Sequence, residues 1–239
     1  PISYTSMSWN WRKIYMDASV NYDRVFGDHR LGGLLFYYME DTSESGANSS
    51  MNAIPKRYQS LSGRFTYGFQ DAYFFDFNFG LNGSENFKPG EQFGFFPSVA
   101  IGYNLSEEKF WEPLRNIIPQ FKIRASWGLV GNDQTGAGRF TFLENLTNSG
   151  AGFTTGTGNQ THTNSGPVWK RYANPNLTWE VGEKWNAGID VRILKGFSFS
   201  ADIFKEVRKE IFMDRGTIPT LMGLGNVTVQ GNLGKMRNW

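Results

Sequence analysis

The chain has 239 residues, a formal net charge of only +2 and no cysteine. Its weak charge, without a dense lysine or arginine run, argues against nucleic-acid binding, and the lack of cysteine excludes disulfides and thiolate metal sites. Aromatic residues make up 16% of the chain and glycine occurs 28 times, which favours strands and turns over helices.

No transmembrane helix is predicted, because no run of about 18 apolar residues is present. The mean hydropathy is negative, but a transmembrane barrel also averages to mild hydropathy, since apolar and polar residues alternate along its strands. No signal peptide opens the chain, and Asn238 and Trp239 stand in what reads as the middle of a strand. We therefore expect a piece of a longer protein.

Alternation of apolar and polar residues predicts eight or nine strands. The clearest case is 121–129, with Phe, Ile, Ala, Trp and Leu at odd positions and Lys, Arg, Ser and Gly at even ones. Successive side chains of a strand point to opposite faces, so this segment has one apolar and one polar face. The predicted strands are 13–26, 31–40, 57–69, 73–82, 93–104, 121–133, 183–194, 197–206 (continuing irregularly to 213) and a last stretch that includes 226–230 and can run to 239.

The connections between these strands alternate in length. Short ones lie at 27–30, 70–72 and 195–196, and long ones at 41–56, 83–92, 131–176 and 214–224. The medium connection, 105–119, is predicted to form one or two helical turns after a Ser106 cap, and Pro97 suggests a bulge or a late strand start. Antiparallel neighbours turn alternately at two ends, so this pattern is typical of an outer-membrane barrel with short periplasmic turns and long extracellular loops.

Aromatic residues border nearly every short connection, always on the apolar face. In a bilayer they would form an aromatic girdle at one interface; the plain alternative is that aromatics are favoured in any strand. The predicted girdle residues are Phe26, Phe69, Tyr73, Tyr103, Phe121 and Phe197.

A soluble or surface-attached carbohydrate-binding β-sandwich is the alternative fold, because its strands also alternate. The predicted strands exceed the usual globular length of about 5–6 residues and suit a tilted transmembrane span of about 9–11. A sandwich would bury Phe75, Phe77 and Phe79 against protein, whereas a barrel would leave them facing lipid.

Two groups of residues are candidates for functional surfaces. In the longest loop, Trp169, Tyr172 and Phe153 are expected to contact substrate or a lid, since aromatic faces stack on sugar rings and bury much area at low entropic cost. The alternative is that they, like Trp179, pack the loop onto its neighbours. The residues expected to face the lumen, and to pair with each other or with a plug, are Asp76, Asn78, Lys122, Arg124, Asp190 and Arg192.

No residue pattern indicates catalysis, a metal or a cofactor. His29 and His162 are the only histidines and have no partners at interpretable spacing. The acids Glu107 and Glu108, and Asp41 with Glu44, are read as solvated. We therefore expect no enzyme and no cofactor.

Four segments resemble the barrel of SusC-type TonB-dependent transporters. They are FFPSVAIGYNLSEEKFW at 95–111, FKIRASWGLVGNDQ at 121–134, NPNLTWEVGEKWNAGIDVRILKG at 174–196 and GNLGKMRNW at 231–239. The resemblance covers most of residues 58–239. It implies an all-β fold, an antiparallel transmembrane β-barrel segment, located in the bacterial outer membrane.

The resemblance also implies parts that this sequence does not contain. A family member has a 22-stranded barrel with a plugged lumen, an N-terminal plug domain, a TonB box that engages an inner-membrane energy complex, and a SusD-like lid lipoprotein. Members import glycan oligosaccharides or peptides. Residues 1–239 are thus expected to be a partial barrel, without plug and remaining strands. A plain porin or a siderophore or vitamin receptor is an open alternative, since it shares the barrel.

Overall fold

The computed structural model describes residues 10–45, 54–134, 136, 138–158, 160–194, 196–216, 221 and 229–239. These residues form strands and two short 3₁₀ turns, Leu105–Glu107 and Lys109–Leu114. The strands are β1 (Asn10–Phe26), β2 (His29–Ser45), β3 (Lys56–Phe69), β4 (Tyr73–Ser84), β5 (Phe93–Asn104), β6 (Gln120–Asn132), β7 (Asn145–Thr155), β8 (His162–Arg171), β9 (Glu180–Ile193), β10 (Phe197–Asp214) and β11 (Gln230–Asn238).

Nine strands form one antiparallel sheet in the order β1-β2-β3-β4-β5-β6-β9-β10-β11. The prediction of an all-β antiparallel sheet is confirmed. The strands β7 and β8 form a separate hairpin inside what the sequence analysis treated as one loop. The first two strands are longer than predicted. Strand β10 continues to Asp214 and is irregular there, as predicted: its pairing with β11 shifts register between Arg208 and Phe212, and Glu210 has a positive φ of 57°. The predicted start of the last strand, 226–228, lies outside the described residues.

The register places the apolar faces of successive strands on one side of the sheet. Directly paired residues share a face, and one such row across β3, β4, β5, β6 and β9 is Phe65, Phe77, Val99, Trp127 and Trp185. The next row, on the other face, is Arg64, Asn78, Ser98, Gly128 and Lys184. The sheet therefore has one continuous apolar face and one continuous polar face.

No second layer covers this apolar face among the described residues. The β7–β8 hairpin does not pack on the sheet, and Val20 and Ile203 are 68% and 73% exposed. Phe75 is also exposed, while Phe77 and Phe79 contact each other and Phe79 contacts Phe95 rather than a facing sheet. The β-sandwich alternative is therefore wrong. A large apolar surface left open to water would be costly, and a lipid bilayer removes that cost.

The connections segregate as the sequence predicts. Tight turns join β1 to β2, β3 to β4 and β9 to β10, and the 105–119 connection lies at the same end, where the backbone N–H of Leu194 donates to the carbonyl of Ile117 (2.7 Å). The longer connections lie at the opposite end. The end with the tight turns is the turn end of the sheet, and the end with the longer connections is its loop end.

Two local expectations need correction. Ser106 does not cap a helical turn: it lies buried inside the first 3₁₀ turn, and its hydroxyl donates to Asn104 Oδ1 at 2.7 Å. Pro97 makes no bulge in the β4–β5 pairing, where it lies opposite Phe79. The pairing of β5 with β6 begins only at Ser98, so the missing N–H of Pro97 falls beyond that ladder.

Candidate functional site

The loop-end hairpin brings two of its three predicted aromatic residues together. The rings of Trp169 and Tyr172 stack with centroids 5.7 Å apart and an interplanar angle of 25°. Tyr172 is 40% exposed, so the pair has an accessible face. Phe153 lies opposite Asn164, five residues from Trp169 and so about 16 Å along the strand. Phe153 is therefore separate from the stacked pair.

Arginines hold the base of this hairpin. The guanidinium of Arg171 donates to the carbonyls of Leu143 and Phe140, both at 3.3 Å, and burial lowers its pKa. Arg139 donates to the carbonyl of Pro55 (2.9 Å) and to the Glu85 carboxylate (3.2 Å). The segment that leads into the hairpin is thereby tied to the β2–β3 and β4–β5 connections.

Trp179 has a packing role. Its ring contacts Phe87, which is fully buried, at 5.0 Å and Phe96 at 5.3 Å.

The predicted turn at Asp133 is fixed by two hydrogen bonds. Ser84 Oγ donates to Asp133 Oδ2 at 2.6 Å, and Asn86 Nδ2 donates to the backbone carbonyl of Asp133 at 3.1 Å. These contacts hold the start of the longest loop against the end of β4.

The polar face of the sheet carries all six residues that were expected to line a lumen. Arg124 donates to Asp190 at 3.0 Å and to Asp202 at 2.7 Å. The other contacts are Arg64 with Asp76 (3.1 Å), Asn78 with Asp76 (2.5 Å), and the Lys122 ammonium above the Phe74 ring (5.0 Å). Arg192 lies opposite Gln120 and Ser198. Their lumen position remains a prediction.

A tyrosine cluster on the same polar face, near the loop end, was missed by the sequence analysis. Tyr38 lies between Tyr15 and Tyr58, with ring centroids 5.1 and 5.6 Å away. The Tyr38 hydroxyl donates to the Glu40 carboxylate, which also pairs with Lys13 at 2.9 Å. Strand β2 is apolar on both faces, so alternation gave no signal, and the three tyrosines lie on three different strands that only the register brings together.

The predicted girdle residues lie in a row at the turn end of the apolar face. Ring centroids are 6.3 Å apart for Phe69 and Tyr73 and 4.8 Å for Tyr73 and Tyr103, whose hydroxyls both donate to Glu108 (2.8 and 3.2 Å). Trp111 covers Phe121 at 5.2 Å. At the two ends of the row, Phe26 and Phe197 are 44% and 72% exposed. A girdle in a bilayer remains a prediction.

The remaining candidates serve structural contacts. His29 contacts Phe69 at 4.7 Å and shares a hydrogen bond of 2.8 Å with the Tyr67 hydroxyl, and His162 lies opposite Thr155 in the hairpin. Acids pair with bases: Glu44 with Lys56, Asp41 with Arg57 and Glu107 with Arg115.

Two features are absent from the described part of the chain. No group of three His, Asp or Glu residues there is placed to hold a metal ion. None of its helices has the length and hydropathy needed to cross a membrane.

Together these features define the class of protein: a segment of a transmembrane β-barrel wall, with its apolar face toward lipid. A family model described as TonB dependent receptor-like, beta-barrel matches residues 3–239. The chain belongs to this family, whose members are outer-membrane proteins.

Individual relatives agree with this assignment. The TonB-dependent receptor SusC of Bacteroides thetaiotaomicron is 31% identical over 137 residues, 57% of this chain and 13% of SusC. The TonB-dependent receptor P3 of Formosa agariphila is 26% identical over 244 residues, 92% of this chain and 23% of that receptor. The chain thus spans less than a quarter of the length of either relative.

Solved structures share the fold. The RagAB peptide importer in its closed-closed state aligns with a TM-score of 0.71 and 18% identity over 96% of this chain and 27% of the matched chain. The siderophore receptor PirA of Pseudomonas aeruginosa aligns with a TM-score of 0.57 and 15% identity, over 96% of this chain and 38% of the receptor.

Proposed function

We propose that the chain forms part of the barrel wall of an outer-membrane active transporter that imports glycan oligosaccharides or peptides. The observation that carries this proposal is the two-faced sheet: the apolar face suits lipid, and the opposite face presents paired charges and tyrosines. Aromatic groups at the loop end, in the tyrosine cluster and in the Trp169–Tyr172 pair, suit the capture of a nutrient from outside.

The transport cycle that we propose performs no bond chemistry. The nutrient binds between the barrel loops and a SusD-like lid lipoprotein, and rearrangement of a plug domain, driven by the TonB energy complex, admits it. Residues 1–239 contribute wall, lumen lining and extracellular loops. The SusC relative supports TonB dependence and the RagAB peptide importer supports peptide import. The glycan substrate, the plug domain and the lid lipoprotein are proposed from the resemblance to SusC-type transporters.

The test uses the full-length receptor in its host bacterium. A deletion strain is complemented with wild type or with Trp169→Ala/Tyr172→Ala, and growth is followed on single oligosaccharides, single peptides or ferric siderophores as the limiting nutrient. We expect growth on one oligosaccharide or peptide to require the wild-type receptor and intact TonB. The double variant should weaken uptake about tenfold or more, because truncating an aromatic anchor typically removes over 1 kcal/mol of binding.

The matched control is Phe153→Ala, an exposed aromatic of the same hairpin that lies away from the stacked pair. It should leave uptake near the wild-type level. If growth depends on the receptor only with ferric siderophores, the import proposal is wrong. If uptake of a sugar or peptide is unchanged in the double variant, the proposed contact role of Trp169 and Tyr172 is wrong.

A further inference from the structure

Three tryptophans and a lysine form a row on the apolar face toward the loop end. Trp127 pairs with Trp185, and Trp185 pairs with Lys205. The pairing of Glu206 with Asn238 places Trp239 beside Lys205 on the next strand. Tryptophan and lysine are residues that anchor a protein at a membrane interface. This row therefore suits the extracellular side of a bilayer, where the long lysine side chain can reach the lipid headgroups.

Glu183 orients the two neighbouring indoles. Its carboxylate accepts hydrogen bonds from Trp127 Nε1 at 3.4 Å and Trp185 Nε1 at 3.3 Å, and Lys209 Nζ donates to it at 3.2 Å. Each indole thus turns its polar edge toward Glu183 and leaves its apolar body to the surrounding lipid. Because Lys209 pairs with Glu183, this acid does not neutralise the other cations of the face.

Lys205 and Arg237 are two further cations of this face, and they have no ion-pair partner among the described residues. Lys205 is two residues before Val207 on β10, and Arg237 lies directly opposite Val207 on β11, so the two are diagonal neighbours about 7–8 Å apart at the backbone. Within the described residues neither Lys205 nor Arg237 makes a hydrogen bond or an ion pair. Both side chains are long enough to reach one anionic group between them.

A groove of about 690 Å³ runs from Lys205 toward the turn end. Its floor includes the cross-strand pair Ala125 and Ala187, whose small side chains leave a depression between larger neighbours. Ile101 and Ile203 are among those neighbours, and they are 57% and 73% exposed. The lining is almost wholly apolar, which suits a hydrocarbon chain and offers a sugar or peptide few hydrogen bonds.

We propose that this surface is a binding site for a lipid of the outer leaflet whose headgroup carries an anionic phosphate. The phosphate binds between Lys205 and Arg237, and one acyl chain occupies the groove over Ala125 and Ala187. The lipid is the occupant because the groove is continuous with the lipid-facing side of the sheet and because its two cations have side chains long enough to reach the headgroups, where basic residues attract anionic lipids. The site does not depend on the substrate or on transport.

The experiment uses the full-length receptor, purified in detergent, stripped of lipid and analysed by native mass spectrometry. Dioleoyl phosphatidylglycerol and dioleoyl phosphatidylcholine are the probes, because they share acyl chains and differ in net charge. We expect the wild type to retain dioleoyl phosphatidylglycerol about 30-fold more strongly than dioleoyl phosphatidylcholine. Each of the two cations contributes about a fivefold preference. Lys205→Ala/Arg237→Ala should reduce this preference to near one.

The matched control is Lys122→Ala/Lys184→Ala, which removes two cations from the opposite face. It should keep the preference, and heat-modifiability on gels verifies that all variants are folded. Ala187→Phe fills the groove and should weaken retention of both lipids. The proposal is overturned if the wild type shows no preference, if the control variant loses it equally, or if excess inorganic phosphate displaces the lipid, since simple anion binding would then suffice.

Discussion

The guanidinium of Arg124 lies between two carboxylates, Asp190 on β9 and Asp202 on β10. The three side chains are 34–39% exposed, so solvent screens their attraction. Without Arg124 the two carboxylates would repel each other across neighbouring strands. The residue therefore links β6, β9 and β10 across the polar face of the sheet.

We expect Arg124→Met to lower the free energy of unfolding slightly, because two acids lose their shared partner while solvent screens the attraction that is lost. Urea unfolding of the full receptor in lipid vesicles measures this loss, which should shrink as salt is added. Arg192→Met removes a cation of the same face that holds no such acid pair, and it should have little effect. Equal losses in the two variants would contradict the bridging role.

Sequence alternation predicts the face of Arg124 but not its partners. Asp202 is 78 residues away in the chain, and the pairing of β6 with β9 depends on the long insertion between them folding away. The tyrosine cluster was missed for the same reason, since Tyr15 and Tyr58 meet Tyr38 only through the registers of two hairpins. Face assignment is local, whereas contacts across strands require the register.

The tight turns are the elements that set this register. The β3–β4 turn has positive φ angles at Gln70 (53°) and Asp71 (51°), which L-residues adopt at a cost, whereas the β1–β2 turn places Gly27 at φ 58°. The hairpin β7–β8 contrasts with them. Its Thr, Gly, Asn and Ser residues show no alternation of apolar and polar side chains, so the sequence predicted a loop. In the structure, backbone pairing makes this segment two strands.

We expect Asp71→Gly to raise the free energy of unfolding by about 0.5–1 kcal/mol, since relief of the left-handed backbone exceeds the entropy that glycine adds to the unfolded chain. The ion pair of Asp71 with Arg30 is lost, but both side chains are over 60% exposed and it contributes little. Gly27→Ala is the reciprocal change. Its new Cβ meets no atom within 4 Å, so the expected loss of about 1 kcal/mol comes from the backbone alone. Thermal unfolding that moves both variants in one direction would refute this assignment.

At the scale of the whole molecule, the sheet separates two environments with a period of two residues. Along β4, Phe75 and Phe77 lie on the apolar face, and Asp76 and Asn78 lie on the polar one. This alternation was readable from the sequence because hydrophobic patterning follows from strand geometry itself. This alternation assigns the orientation of the two faces, with the apolar face toward lipid and the polar face toward the interior of the barrel.

Spin labels along β4 test that orientation. This chain has no cysteine, so a single cysteine at 75, 76, 77 or 78 carries one nitroxide once any cysteine elsewhere in the receptor has been replaced, and the labelled receptor is reconstituted in lipid. Labels at 75 and 77 should be relaxed by oxygen, which concentrates in the bilayer, and protected from a water-soluble nickel complex. Labels at 76 and 78 should show low oxygen contact, because they face a lumen or a plug. A label at 71, in a turn, should meet the nickel complex freely. Uniform oxygen contact at all four positions of β4, or nickel contact at 75 and 77, would show that the apolar face is not in lipid.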